Sequence, residues 1–366
     1  MRRISIFPRQ DRREVRHRAH LICGGRQDSR TSLWAEVRDT MREGRIMEPV
    51  WKRSVLRRTE NRREEVIFRA GMGRAGNLLH MPEGLAAVSA EAGFLDSMRY
   101  GSDVSGRIFF HRAVNACAAM GAKPVAVQVQ LLFPARWEEP ELRKLVDALE
   151  EEARDLGISL LPGRILCSLA EEVPYLTLNA FGECEDKLSH PCESAKAGQE
   201  LVVGGWIALE ATVLLAGRYR EELLSRFTPV FVERVQNFAR DMSVAHGAAI
   251  AAEYGASVIL PIEEGGIFGA LWELAEGAGL GLEAQAGDIP VRQETIEICE
   301  LYRKNPYQLP SAGSLLIAAE HGGQLCSLLG RAGIPSAVIG RLTDGNDRVL
   351  YHGEEKRFLE LPRMDA

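Results

Sequence analysis

"PIEEGGIFGALWELAEGAG", residues 261–279, brings two acids and two glycines to the start of a predicted helix. Glu263 and Glu264 run directly into Gly265 and Gly266, and an apolar helical pattern follows. Adjacent glycines allow a tight turn and a close approach of the backbone to a ligand. The free amides and positive dipole of a helix start suit an anion, commonly a phosphate. A simple packing turn is the alternative, since acids favour a helix N-terminus without any function.

This stretch lies within an alternating run of strands and helices. The buried strand "SVILPI" precedes it, and its helix is expected to end near Gly279. Upstream, "ELVVGGWIALEATVLLAGRY" predicts a strand, a turn at Gly204 and Gly205, and a helix. Downstream, strand and helix patterns alternate through "GLEAQAGDIPV", "RQETIEICELYRK", "SLLIAAE", "LCSLLGRAGI" and "PSAVIGRLTD".

Residues 66–185 predict a second, α+β unit. Strands are expected at "VIF", "GLAAVSA", "VAVQVQLLFP" and "VPYLTLNAFGEC". One helix carries "VSGRIFFHRAVNACAAMG" and stops at Gly121, and an amphipathic helix stops at Gly157. The polar segment 187–200 is the predicted boundary between the two units.

Composition predicts an ordinary soluble globular protein of two domains. The chain has 366 residues, 46% of them hydrophobic and 26% charged. Since no apolar run approaches the ~18–20 residues of a membrane span, we expect no membrane association. The seven cysteines form no CxxC pair, which argues against a zinc site and a disulfide framework. A reducing cytoplasm is the expected location.

Residues 1–46 form an arginine-rich arm with 12 Arg against 6 Asp or Glu. Such an arm could bind nucleic acid or act as a transit peptide. A disordered extension, or a true start at Met47, is the simpler interpretation. We expect the arm to be disordered and dispensable for folding. The remaining chain has 33 basic against 45 acidic residues, which makes nucleic acid a poor partner for the folded body.

Several motifs resemble one known superfamily. In the C-terminal half these are "EEGGIFGALWELAEGAGLGLEAQAGDIPVRQETIEIC", "NPYQLPSAGSLLIAA" and "GIPSAVIGRLT". In the N-terminal half, "AGMGRAG" stands where that family has a glycine-rich acidic loop, and "RAVNACAAMGAKP" where it has V-N-D-x-A-x-M-G-A-x-P. The motifs follow in order through about residues 64–350. The chain resembles the aminoimidazole-ribonucleotide (AIR) synthetase, or PurM-like, superfamily, and most closely its AIR-synthase-related, hydrogenase-maturation-factor-like bacterial members.

The resemblance implies a two-domain α+β fold. An α+β N-terminal domain, residues 64–186, would pair across a homodimer into a β-barrel, and residues 195–355 would form an α/β C-terminal domain. ATP would lie in the cleft between them, with its phosphates held through Mg²⁺ by aspartates. Members of the superfamily use ATP to phosphorylate an oxygen, often of an amide or thioamide type, which then becomes a leaving group.

The chain departs from the acidic motifs of the family at four places. Gly73-Arg74-Ala75 replaces G-x-G-E-D, and Ala116 stands at the aspartate of V-N-D, after a retained Asn115. Pro162-Gly163-Arg164-Ile165 stands where the family has G-G-D-T or G-G-H-T. Pro261 and Glu263 replace the Asp and Thr of D-x-T-E-G-G, whereas Glu264, Gly265 and Gly266 remain. One further family aspartate survives as Asp96 or is replaced by Glu91.

These departures argue against Mg²⁺, because Mg²⁺ requires hard oxygen ligands. Arg74 and Arg164 would place positive charge where the metal should lie. Two unit charges ~4 Å apart repel by ~4 kcal/mol at an effective dielectric of ~20. Direct, metal-free contact between these arginines and phosphate is the rival interpretation.

The predicted nucleotide-binding residues are Gly73, Arg74, Asp96, Asn115, Gly163, Arg164, Glu264, Gly265 and Gly266. No catalytic residue and no metal ligand is assigned. His111 and Arg112 are expected to be solvated on a surface helix, and Cys117 to be a small buried apolar side chain. Two functions stay open: an ATP-dependent, phosphoryl-transferring enzyme of the ligase or dehydratase type, and a non-catalytic binding or partner subunit that retains only the fold.

Overall fold

A computed structural model describes residues 66–68, 77–81, 84–95, 100–168, 172–184 and 190–360. These residues form two sheets, one from each half of the chain, with nine α-helices packed against them. The two-domain α+β architecture is therefore confirmed. The arm of residues 1–46 lies outside the described residues.

The N-terminal sheet has six strands in the order β1-β2-β3-β6-β4-β5. Its pairs are antiparallel except for β4 and β5, which are parallel. The strands are β1 (Val66–Phe68), β2 (Asn77–Met81), β3 (Gly84–Phe94), β4 (Lys123–Pro134), β5 (Ser159–Ser168) and β6 (Tyr175–Cys184).

Two helices, α1 (Ser102–Ala119) and α2 (Glu139–Asp155), cover one face of this sheet. Strand β6 illustrates that only one face is covered. Its side chains point alternately to the two faces of the sheet. Leu176 and Leu178 are fully buried under the helices, whereas Tyr175 and Phe181 on the opposite face are exposed. Helix α1 ends before Gly121, whose φ of 74° stops the helix where the sequence predicted.

The C-terminal sheet has seven strands in the order β13-β12-β9-β11-β7-β10-β8. Its strands are β7 (Glu200–Gly204), β8 (Val258–Pro261), β9 (Gly281–Gln285), β10 (Leu315–Ala319), β11 (Ser336–Thr343), β12 (Arg348–His352) and β13 (Glu355–Phe358). Its helices are α3 (Leu209–Arg218), α4 (Arg220–Arg226), α5 (Pro229–Gln236), α6 (Ala245–Tyr254), α7 (Gly266–Ala278), α8 (Gln293–Leu301) and α9 (Gly322–Arg331).

Central strands of this second sheet are buried on both faces, which explains their continuous apolar sequences. In β10, Leu316 and Ala318 pack with α7 on one face. Leu315 and Ile317 pack with α6 and α9 on the other face. The helix from the opening stretch is therefore one of the two layers that enclose the C-terminal sheet.

The predicted order of elements is confirmed, but four strands escaped prediction: β2, β5, β12 and β13. Strand β5 contains Pro162 and Gly163, which are typical of a loop rather than of a strand. The pairing with β4 shifts by one residue here: Val129 pairs with Pro162 and Leu131 with Ile165, so that β5 carries one extra residue. Within the described part of the chain, no helix combines the length and apolarity that crossing a bilayer requires.

Candidate functional site

The Gly265–Gly266 turn connects β8 to α7, as the sequence predicted. Both glycines have positive φ, 83° at Gly265 and 61° at Gly266. The amide of Gly266 donates to the carbonyl oxygen of Glu263 at 3.0 Å, which closes the turn. A Cβ on Gly266 would lie 2.6 Å from the carbonyl oxygen of Tyr307 and 2.7 Å from that of Leu309. Backbone conformation and space thus both require glycine here.

Helix α1 meets the C-terminal domain next to this turn. Asn115 is the first link: its Nδ2 donates to the carbonyl oxygen of Met242 at 2.8 Å. Its Oδ1 accepts the amide of Val244 at 2.9 Å. Asn115 is only 2% exposed, so both ends of its side chain are satisfied by buried backbone. Asn115, a predicted nucleotide-binding residue, thereby joins α1 to the segment that leads into α6.

Arg112, one turn before Asn115, is the second link. Its Nη2 donates to Glu264 Oε1 in the turn, and its Nη1 lies 3.5 Å from Glu210 Oε1 in α3. Its Nε lies 3.7 Å from Glu91 Oε2 in β3. Three carboxylates therefore converge on one guanidinium, one from the N-terminal domain and two from the C-terminal domain.

Burial sets the charges within this cluster. It raises the pKa of Glu91 to about 7, against the opposing effect of the nearby Arg112. Burial likewise raises the pKa of Glu210, and Arg112 again opposes it. For Arg112, burial disfavours the charge, but Glu210, Glu264 and Glu91 outweigh it and hold the pKa well above its ordinary value. Arg112 is therefore a permanent cation, and two of its partners, Glu91 and Glu210, are carboxyl groups with raised pKa.

The expectation that His111 and Arg112 are solvated is wrong. They are 1% and 7% exposed, because α1 is enclosed by its own sheet and α2 on some sides and by the C-terminal domain on another. Nε2 of His111 donates to Oε2 of Glu152 in α2 at 2.8 Å, and Arg107 pairs with the other oxygen of Glu152. Burial raises the pKa of Glu152, but His111 and Arg107 together lower it below its ordinary value.

A cavity of about 50 Å³ lies beside the turn. It is lined by Ala116 of α1, by Glu263 and Glu264 of the turn and by Glu273 of α7, among others. Ala116 is the position at which the family resemblance expects an aspartate. The structure thus brings this position and the retained Glu264 to the same cavity, at the contact between the domains.

Two further predicted residues, Gly163 and Arg164, are not part of this cluster. Gly163 and Arg164 lie in β5, where that edge strand pairs with β4, and Arg164 is exposed. A Cβ on Gly163 would lie 2.5 Å from the carbonyl oxygen of Val129, so this glycine serves the packing of two strands. Three predicted residues lie outside the described residues: Gly73, Arg74 and Asp96.

Glu210 was missed by the sequence analysis, although it is fully enclosed in the site. The sequence feature that could have identified Glu210 is its position as the single acid at the start of the apolar helix pattern "ALEATVLLAG". A charged side chain at such a position is rarely buried unless it is paired. Its partner Arg112 lies 98 positions away in sequence, so no local pattern connects them. Cys117, in contrast, is fully buried as expected, and burial raises its pKa to about 12.

We predict that Gly266→Ala destabilises the protein by about 2–4 kcal/mol, because strain at positive φ adds to overpacking against two carbonyl groups. Gly279→Ala, at the other end of α7, is the matched control. Gly279 has a φ of 66° but no heavy atom within 4 Å of an added Cβ. It should lose only about 1 kcal/mol, the cost of the strained backbone alone. Urea denaturation measures the free energy of unfolding of both variants. Equal losses of stability would contradict the prediction that crowding against residues 307–309 adds to the cost at Gly266.

Two family models match the chain. The AIR synthase related protein N-terminal domain covers residues 77–184, and the AIR synthase related protein C-terminal domain covers residues 196–353. Among curated proteins, the chain is similar to carbamoyl dehydratase HypE of Rhodobacter capsulatus. The two are 24% identical over 247 residues, 66% of this chain and 70% of the relative.

Solved structures share the fold. A hydrogenase maturation protein HypE in complex with ATP has a TM-score of 0.64 at 18% identity, over 89% of this chain and 98% of the other. The HypE–HypF complex has a TM-score of 0.64 at 15% identity, over 77% of this chain and 92% of the other. The matched domains stand in the same order as the two sheets of the structure. The chain therefore belongs to the AIR synthase-related, PurM-like superfamily and is similar to the hydrogenase maturation proteins within it.

Proposed function

We propose that this protein is a hydrogenase-maturation-like member of the superfamily that binds ATP between its two domains. We further propose that it does so with a reduced acid set, that is, with fewer acidic residues than the family motifs provide for Mg²⁺. The observation that carries the proposal is the strand–Gly–Gly–helix turn, which lies directly against α1 at the contact between the domains. Two relatives of the same fold support ATP as the ligand: HypE was solved with ATP, and a ThiL protein with AMPPCP and TMP.

The turn has the chemistry that a polyphosphate requires. Gly265 and Gly266 remove side chains from the approach to the backbone. The first amides of a helix have no intrahelical acceptors, and the helix dipole favours negative charge near them. Arg112 supplies a nearby positive charge. For ATP to enter, the pair of Arg112 and Glu264 has to separate, because a cavity of about 50 Å³ is far smaller than a ligand pocket of ~300–1,000 Å³.

If the protein is an enzyme, the reaction that its family resemblance supports is phosphoryl transfer from ATP to an amide-type oxygen. Gly265, Gly266 and the amides of α7 would hold phosphate in that reaction, and Arg112 would offset its charge. The described cysteines are free thiols, which suits the reducing cytoplasm that we propose as its location.

A non-catalytic partner subunit is the second candidate. The specific observation in its favour is the closed cleft, in which Arg112 and Glu264 already satisfy each other's charge. Glu263 and Glu273 add negative charge around the cavity, which opposes a phosphate. A relative of this fold was solved in complex with another protein, HypF. In this alternative the chain keeps the fold and binds a partner protein, but it catalyses no reaction.

We further propose a homodimer formed through the N-terminal sheet. Large apolar side chains on this sheet, 36–61% exposed, come from all six strands. They are Ile67, Met81, Phe94, Val125, Leu161, Ile165, Leu166, Tyr175 and Phe181. Phe94 and Tyr175 face each other on neighbouring strands, with ring centroids 4.9 Å apart. Most of these side chains lie on the sheet face that the helices leave uncovered. Exposed apolar surface of this kind marks an interface, and a second copy of the sheet is the occupant that we propose.

The ATP proposal predicts binding that survives chelation of metal. Calorimetric titration of ATP into the full chain should give dissociation constants in EDTA and in Mg²⁺ that agree within about threefold, or about 0.6 kcal/mol. Ala116→Leu should abolish binding, because the larger side chain fills the cavity beside the turn. Gly279→Ala is the control: it lies at the far end of α7 and should leave ATP binding unchanged.

Three results would separate the alternatives. ATP binding only with Mg²⁺ would contradict the reduced acid set. Absence of ATP binding in both buffers would contradict the ATP proposal and favour the partner subunit. Loss of ATP binding in Arg164→Ala, with an unchanged thermal melt, would instead assign the phosphates to the exposed arginine of β5.

The dimer proposal predicts a mass of twice the 40.5 kDa chain in size-exclusion chromatography with light scattering at micromolar concentration. Phe181→Lys, in the middle of the exposed face, should weaken the dimer at least about tenfold, since buried aromatic residues dominate interface energy. Val230→Lys is the matched control, because Val230 is 64% exposed in α5 of the other domain. A stable monomer for the unmodified chain would refute the dimer.

A further inference from the structure

The acidic residues that the family resemblance leaves in place do not stand free in the cleft. Glu264 follows the family pattern in the turn, and Glu91 is one of the two positions for the remaining family acid. Both contact the same guanidinium, that of Arg112. Glu210 reaches it from a third element, α3. The three carboxylates of this cleft are therefore gathered around a cation that belongs to the chain.

We infer that Arg112 takes the place of a divalent metal ion in this cleft, so that its carboxylates do not bind Mg²⁺. The inference rests on the positions of Arg112 and its three partners and holds whether or not ATP binds. It also extends the proposed function, because a tethered cation remains when a ligand leaves, whereas a Mg²⁺ ion would leave with the nucleotide.

Several carboxylate oxygens of the cluster already have partners within the chain. Oε1 of Glu210 faces Arg112, and Oε2 accepts the amide of Ala312 at 3.2 Å. Oε1 of Glu264 accepts from Arg112. Mg²⁺ demands near-ideal octahedral coordination by oxygen and gives up its water reluctantly, so it would have to displace these contacts. Across the ranges that the structure describes, no group of three acidic, histidine or cysteine side chains has a geometry suited to a metal ion.

Charge leads to the same conclusion. The guanidinium is buried, with 7% of its side chain exposed, and arginine does not lose its proton in proteins. A metal among the same carboxylates would lie within a few ångströms of this fixed positive charge, where little solvent screens the repulsion. Burial raises the pKa of Glu91 to about 7, so at neutral pH this carboxyl group is only partly ionised and a poorer metal ligand still.

The inference is tested with Mn²⁺ alone, as a paramagnetic substitute for Mg²⁺, so that nucleotide binding does not enter. Free Mn²⁺ is counted by electron paramagnetic resonance in the presence of the full chain. The unmodified chain should bind no stoichiometric Mn²⁺ at sub-millimolar concentration. Arg112→Lys, which keeps the charge, should behave in the same way. Arg112→Ala exposes three carboxylates to one another and should gain a site at least about tenfold tighter.

A thermal melt provides the second measurement. Without its cation, Arg112→Ala should melt at a lower temperature, and Mn²⁺ should restore part of the loss because it binds the folded state. The same Mn²⁺ concentration should leave the melts of the unmodified chain and of Arg112→Lys unchanged. A merely structural ion pair would lose stability in Arg112→Ala but would show no rescue by the metal.

Two outcomes would overturn the inference. One is stoichiometric Mn²⁺ binding by the unmodified chain that Glu264→Gln abolishes. The other is a folded Arg112→Ala variant that neither binds Mn²⁺ nor gains stability from it. If Arg112→Ala does not fold, the Mn²⁺ measurements on the unmodified chain and on Glu264→Gln decide alone. Absence of Mn²⁺ binding by both proteins would support the inference that Arg112 replaces the metal ion. If the titration shows that ATP does not bind, the results with Mn²⁺ still test the inference, because they do not depend on nucleotide.

Discussion

Helix α1 carries a guanidinium into the contact between the two domains, and most features of the candidate site follow from that buried charge. A buried cation is costly unless carboxylates surround it, and removal of one partner leaves the others uncompensated. Arg112 finds these partners in β3, in α3 and in the turn before α7. One turn later Asn115 adds two hydrogen bonds to backbone that leads into α6. The two domains are therefore joined by polar contacts of specific geometry, and the cleft between them is shaped by the same contacts.

The glycines and the acids of this site depend on different physical constraints. Gly265 and Gly266 are needed by the backbone itself, since both have positive φ and Gly266 packs against carbonyl groups of residues 307–309. Their presence therefore does not require a ligand. The acids are different, because only a partner of opposite charge makes their burial favourable. In this chain Arg112 is that partner for Glu91, Glu210 and Glu264. A shared fold leaves the chemistry of a site open, so the charges within the site itself have to decide it.

The pattern of residues along the chain determined much of the protein. The order of strands and helices, the helix ends at Gly121 and Gly279 and the Gly265–Gly266 turn all follow from periodicity and from glycine placement. These signals are local, since they depend on side chains within one or two turns of each other. Strand β5 was missed for the same reason: its Pro162 and Gly163 favour a loop locally, and only pairing with β4 makes the segment a strand.

Tertiary structure alone decided which polar residues are buried and with whom they pair. His111 and Arg112 lie on a helix whose sequence predicts a solvated face, yet packing from both domains encloses them. Arg112 meets Glu210 and Glu264, which are 98 and 152 positions away. No periodicity extends over such separations, and the charge of a residue does not specify which distant opposite charge it will meet. The free energy of a buried ion pair depends on solvent exclusion by the folded chain, so the cluster around Arg112 exists only once the two domains have packed together.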